Sequence, residues 1–191
     1  MSFLKTWKNY LFIESHGTEL MKKYENEQAF PFVSTGDTIV CNLPYNAQIT
    51  PFFKIEANGG EEITLMTDHY YGGGHPNVRG EYITRKGIQE YESLGWMNGQ
   101  KVYYIIQKGV KVLDLQYRET GYASEFTGSF DCNDDFYKRM WTKAERTLYV
   151  TMRDGYMDCP DRERAQWWGD MVNESGETFY TLDPDSRFLA Q

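Results

Sequence analysis

Asp158-Cys159-Pro160-Asp161-Arg162-Glu163-Arg164-Ala165-Gln166-Trp167-Trp168-Gly169-Asp170 packs four carboxylates, two arginines and two adjacent tryptophans into thirteen residues. A solvated acidic loop gains nothing from paired tryptophans, whose large apolar faces favour burial or stacking. A core segment does not carry so many charges, because an unpaired charge is costly to bury. Both halves suit the floor of a cleft where carboxylates meet a polar ligand and flat rings stack on it. Carbohydrate is the ligand that asks for both.

Outward from this stretch the pattern is helical on each side. Asp131 to Asp134 offer N-caps for a helix whose apolar positions Phe136, Met140, Ala144 and Leu148 recur at i+4, with Trp141 alongside. Asp154-Gly155 reads as its stop. A second helix is expected from about Asp170 to Leu182, before Asp183-Pro184. Two helices do not enclose a core by themselves, so this part of the chain reads as the opening of a larger helical domain.

Before Gly128 the texture is β. Ile39 to Leu43 is a strand candidate ending at a Pro44-Tyr45-Asn46 turn. Thr50 to Ala57 and Glu62 to Met66 flank Asn58-Gly59-Gly60, a hairpin signal, and Val102 to Gln107 and Val110 to Tyr117 flank Lys108-Gly109, a second one. Short strands at this spacing predict an antiparallel sandwich. At the N-terminus Trp7, Tyr10 and Leu11, then Leu20, Met21 and Tyr24, have helical spacing, and Pro31 ends the run. The expected layout is a partly helical lead-in over 1–34, a β-sandwich over 35–127, and the start of a helical domain over 128–191.

Bulk properties exclude some partners. Of 191 residues, 40% are hydrophobic and 25% charged, with no long apolar run, so no membrane partner is expected. A net charge of -8 offers no basic stripe for nucleic acid. The opening MSFLKTWKNYLFIESHG has charges within its apolar stretch and no small-residue cleavage site, so it does not read as a secretory leader. Cys41, Cys132 and Cys159 form no CxxC pair, and His16, His69 and His75 lack ligand spacing, so neither a metal nor any other cofactor is expected. Gly72-Gly73-Gly74-His75-Pro76 lacks the Lys-Ser/Thr and the βαβ setting of a phosphate loop and reads as a flexible sandwich loop.

The thirteen-residue string between two helices resembles the signature of bacterial α-L-rhamnosidases of the six-hairpin glycosidase type, glycoside hydrolase family 78-like, written DCP-x-RER-LGW-x-GD. Phe130 to Asp154 is similar to the first helix of that family's barrel. Ala165-Gln166 departs from the usual Leu-Gly, and Trp168 is an added aromatic. The resemblance implies a β-sandwich followed by the first helices of an (α/α)6 barrel. It implies that Glu163 is the general acid, that Asp158 and Asp170 hold sugar hydroxyls, and that Arg162 and Trp167 lie at the sugar subsite. It further implies inverting hydrolysis of terminal α-L-rhamnosides. The base is then contributed by a later part of the barrel, so these 191 residues alone are expected to be inactive.

The chemistry is coherent on its own terms. An inverting glycosidase sets an acid and a base on opposite faces of the sugar, about 6.5–9.5 Å apart, to admit water. Tryptophan and neighbouring carboxylates oppose the ionisation of Glu163, whereas Arg162 and Arg164 favour it; the balance depends on which side chains face the ligand. Two rivals stand beside this reading. One is a non-catalytic carbohydrate-binding sandwich with a helical tail, and the other is a six-hairpin glycosidase acting on a different sugar.

Overall fold

The structure is a computed structural model that describes residues 21–25, 29–72, 75–122 and 124–184, with the side chains of 69–77 left aside. The helical spacing of Trp7, Tyr10, Leu11 and Leu20, the His16, His69 and His75 side chains, and Gly73-Gly74 lie outside what is described. The chain divides between Thr120 and Gly121 into two compact units.

Among the described residues the first unit is an eight-stranded antiparallel sheet. Its strands are β1 (Met21–Lys22), β2 (Phe32–Val33), β3 (Thr38–Ala57), β4 (Glu62–Gly72), β5 (His75–Ile83), β6 (Gly87–Glu92), β7 (Met97–Ile106) and β8 (Lys111–Thr120). The order is β1-β8-β3-β7-β4-β5, with β2 also on β8 and β6 also on β3. The long β3 organises it. Its first half pairs with β7, and its second half lies between β8 and β6. Ile39, Cys41, Leu43, Ala47, Ile49, Phe53, Ile55 and Ala57 all point into one core, as the period of two requires. Ile63, Leu65, Val102, Tyr104, Ile106, Val112 and Leu115 join them from the other strands. The sandwich expected from the sequence is therefore present. At its centre the Tyr104 hydroxyl shares a hydrogen bond with that of Tyr24 at 2.7 Å and donates to the Phe52 carbonyl at 3.1 Å, so these buried phenols are satisfied.

Four local expectations fail, each for a tertiary reason. Met21 does not extend a helix: Met21–Lys22 is β1, in register with Arg118 and Tyr117 of β8, and Tyr24 is buried in the core. Pro44-Tyr45-Asn46 is not a turn. The strand runs through it, and a register shift between Asn42 and Ala47 absorbs the proline, which has no N–H to give the ladder. Nor do the two hairpin signals make hairpins. Gly59 and Gly60 do take positive φ values of 104° and 95°, and the Glu61 carboxylate accepts from the Asn58 and Gly59 N–H groups. Yet β3 pairs with β6, β7 and β8, whereas β4 pairs with β5 and β7. Gly109 likewise turns the chain (φ 98°), but β3 lies between β7 and β8 in the sheet. Both glycine turns are crossings between strands that are not neighbours. Turn chemistry fixes the reversal, and burial of the alternating faces chooses the partner.

The second unit holds α1 (Asp135–Val150) and α2 (Trp168–Thr181). The Asp134 carboxylate accepts from the Phe136 N–H at 2.8 Å, the N-cap expected from the acidic run. Asp134→Ala is expected to cost about 1 kcal/mol, read as a lowered midpoint of thermal unfolding. The expected core stripe of α1 is only partly buried. Leu148 is in the core, but Phe136, Met140 and Ala144 are exposed. The core of this unit is small: Tyr122, Leu148, Met152, Tyr156 and Leu182, with Phe126 and Met171 packed beside it. Helix α2 begins two residues ahead of Asp170, because the Trp167 carbonyl already accepts from the Met171 N–H at 2.9 Å. At its far end Leu182 bridges Phe126, and the Thr127 and Gly128 N–H groups donate to the Thr181 carbonyl.

Candidate functional site

The thirteen-residue stretch connects α1 to α2, and its shape comes from a clasp between its two ends. The Asp158 N–H donates to the Ala165 carbonyl at 3.0 Å, and the Ala165 N–H donates to Asp158 Oδ1 at 3.0 Å. Between them the chain makes a turn in which the Glu163 N–H reaches Cys159 Sγ at 3.3 Å. Arg164 closes the reversal with a left-handed backbone, φ 54°, which costs a residue with a side chain about 1–2 kcal/mol and is held here by the clasp. Trp167 then leads into α2 with extended backbone.

The reversal brings Glu163 and Trp167 together. The indole Nε1–H of Trp167 donates to Glu163 Oε2 at 2.9 Å, and Arg162 Nη2 lies 2.7 Å from Glu163 Oε1. Arg162, Glu163, Trp167, Trp168 and Asp170 are all exposed, so the stretch presents an open face in place of the enclosed floor its composition suggests. With both partners in solvent, the Arg162–Glu163 pair contributes little to stability. The Asp158 carboxyl is pushed up by burial, but donors outweigh this and hold it below the usual carboxylate range. The Ala165 N–H is the first of them, and the Cys159 side chain follows. Asp170 stands in the first turn of α2, where a negative charge suits the helix dipole. A recess lined by Val172, Asn173, Gly176, Glu177, Phe179 and Tyr180 runs along α2 and includes none of these five residues.

One neighbour escaped the sequence reading. Glu174 lies one turn beyond Asp170 on α2. Burial, chiefly, and the charges of Asp170, Glu177 and Asp158 push its carboxyl up to about 7. The signal was the i, i+4 spacing of Asp170, Glu174 and Thr178, which puts all three on one helical face. Along that face burial rises from exposed Asp170 through half-buried Glu174 to fully buried Thr178; a polar residue in an otherwise ordinary helix gave no hint of it.

Comparison with known proteins places this geometry. Residues 125–190 match the family model described as the bacterial alpha-L-rhamnosidase six-hairpin glycosidase domain. No curated protein matches the chain. Among solved structures, the GH78 family rhamnosidase of Bacillus sp. GL1 aligns with a TM-score of 0.70 at 24% identity, covering 82% of this chain and 18% of that one. The alpha-L-rhamnosidase of Dictyoglumus thermophilum aligns at 0.65 and 22% identity, covering 85% and 20%. A rhamnosidase of Klebsiella oxytoca, with rhamnose bound, aligns at 0.64 and 13%, covering 78% and 34%. The chain spans between about a fifth and a third of the length of these structures. In fold the chain is rhamnosidase-like, and its residues 125–190 are similar to the six-hairpin glycosidase domain of bacterial α-L-rhamnosidases.

Proposed function

We propose that this chain is the sandwich and opening barrel portion of an inverting glycosidase that removes terminal α-L-rhamnosyl residues, with Glu163 as general acid. The observation that carries the reading is the clasp. It holds half-buried Asp158 on the same short turn as the exposed pair Glu163 and Trp167, within the very residues that match the six-hairpin domain. The Trp167 N–H fixes the orientation of the Glu163 carboxyl, as a general acid requires. A sugar ring seated on this face would meet Glu163 at its glycosidic oxygen. Arg162 and the Trp167 ring would lie along the subsite, and Asp158 and Asp170 would accept from sugar hydroxyls. Arg162 competes for Glu163 Oε1, but its side chain is largely in solvent and is free to turn toward the ligand. The chain is read as a lead-in over 1–34, a sandwich over 35–127 and the barrel's beginning over 128–191. The division after Thr120 and the family match from residue 125 support the second boundary to within a few residues, whereas β1 and β2, within the lead-in, already pair with β8 of the sheet.

The stereochemistry of the product tests the reaction class. Proton NMR of the intact protein acting on an aryl α-L-rhamnoside is expected to show the β anomer of rhamnose first, with the α anomer appearing only by mutarotation. The α anomer as first product would overturn inversion, and release of a different sugar in preference would overturn the substrate.

A further inference from the structure

Gln166 takes no part in the reaction proposed for this site, yet it stands where the resembled signature has Gly. It is the middle residue of a three-residue turn, in which the Trp167 N–H donates to the Ala165 carbonyl at 3.1 Å. The turn starts at the clasp, where Ala165 pairs with Asp158, and ends at the residue whose indole donates to Glu163. Although Gln166 is exposed, its side-chain amide is caught on two sides. Nε2 donates to Met171 Sδ of α2 at 3.0 Å. Oε1 lies over Gly155: a Cβ there would stand 2.5 Å from it and 3.5 Å from Gln166 Cδ. Both contacts rest on firm ground. The Arg153 N–H donates to the Gly155 carbonyl at 3.0 Å in a tight reversal, and Met152 and Tyr156, bridged across it, belong to the core of the helical unit. Met171 packs beside the same core, and its N–H donates to the Trp167 carbonyl at 2.9 Å. The amide thus spans the segment after α1 and the start of α2, one residue ahead of Trp167.

We propose that Gln166 is a positioning residue of the candidate site: its amide, braced between Gly155 and Met171, holds the turn that keeps the Trp167 indole on Glu163. The consequence for hydrolysis rests on the glycosidase reading, whereas the bracing does not. A thioether is a weak acceptor, so the bond to Met171 needs the second contact to fix the amide. Gly155 supplies it by leaving room for Oε1 against its own Cα. Gly155 and Gln166 therefore act as a pair. A side chain at 155 meets only the far end of a flexible residue, so it displaces the amide and leaves the fold in place. A carboxyl held in one orientation transfers its proton more often than one that wanders.

Indole NMR signals of the intact protein, isotope-labelled on its tryptophan nitrogens, test this. The Trp167 Nε1–H signal, identified by its loss in Trp167→Phe, is expected to move upfield in Gln166→Gly as the bond to Glu163 weakens. Gly155→Ala, which displaces the amide from the other side, should move the same signal the same way. It should add nothing further in the Gln166→Gly background, because the two residues act through one contact. In rhamnoside hydrolysis, Gln166→Gly is expected to lower kcat for an alkyl rhamnoside by about tenfold, with KM little changed and a dinitrophenyl rhamnoside spared. An indole signal that stays in place in both variants, shifts that add in full, or a kcat loss shared equally by the two substrates would overturn the positioning role. If the signal moves as expected but the parent protein cleaves no rhamnoside, the glycosidase reading falls and the positioning role stands.

Discussion

Glu163→Gln is expected to lower kcat for α-L-rhamnoside hydrolysis in the intact protein by about 10²–10⁴-fold, the usual contribution of a positioned general acid. Gln retains an oxygen to accept from the Trp167 indole, so the face should keep its shape and KM should move little. What is lost is the proton for the departing oxygen. The loss should accordingly depend on the leaving group. A dinitrophenyl rhamnoside, whose phenolate leaves without protonation, is expected to lose far less than an alkyl rhamnoside. Steady-state kinetics over such a series checks both points, and a loss of equal size across the series would point to damage of the sugar subsite instead. Hydrolysis close to that of the parent would remove Glu163 from the role altogether.

Gly128→Ala is expected to destabilise the helical unit by about 2–3 kcal/mol, because overpacking here has no side chain to push aside. A Cβ at position 128 would overlap the Tyr180 carbonyl oxygen and lie 2.7 Å from Thr181 Cα, both backbone atoms. The chain cannot ease apart without giving up the bonds from the Thr127 and Gly128 N–H groups to the Thr181 carbonyl, at 3.1 and 3.0 Å. Those bonds, with the Phe126–Leu182 bridge, hold the end of α2 against the segment that precedes α1. Differential scanning calorimetry should show a clear drop in the transition of this unit. An Ala variant with an unshifted transition would mean that the backbone approach at Gly128 is not as close as described.

The fold was partly legible because its determinants are local. Alternating apolar residues through Thr38–Ala57 and the i+4 spacing that runs to Leu148 report elements whose periodicity is written in the residues themselves. Partners are not written there. Asn58-Gly59-Gly60 and Lys108-Gly109 carry the residues of a hairpin turn, and each does reverse the chain. Each links strands that the sheet keeps apart, because the alternating faces of β3, β7 and β8 gain more by closing one core than by pairing in sequence. Pro44 failed as a turn marker for a similar reason. A bulge in a long strand satisfies the proline at less cost than breaking a strand whose two halves both bury a face.

The same division holds at the candidate site. By itself the sequence determined which residues gather between α1 and α2 and what chemistry they can offer, since acids, arginines and tryptophans crowded into thirteen positions have few uses. It also determined the rhamnosidase likeness, which resides in that ordered string. Only the tertiary structure decided that Asp158 clasps Ala165, that the reversal at Arg164 sets Trp167 on Glu163, and that the face lies open. It alone left one carboxylate oxygen of Glu174 buried. The reason is physical: a side chain's identity fixes what it can donate, accept or stack upon, whereas its protonation and its partners depend on desolvation and on neighbours that only the folded backbone brings within a few ångströms.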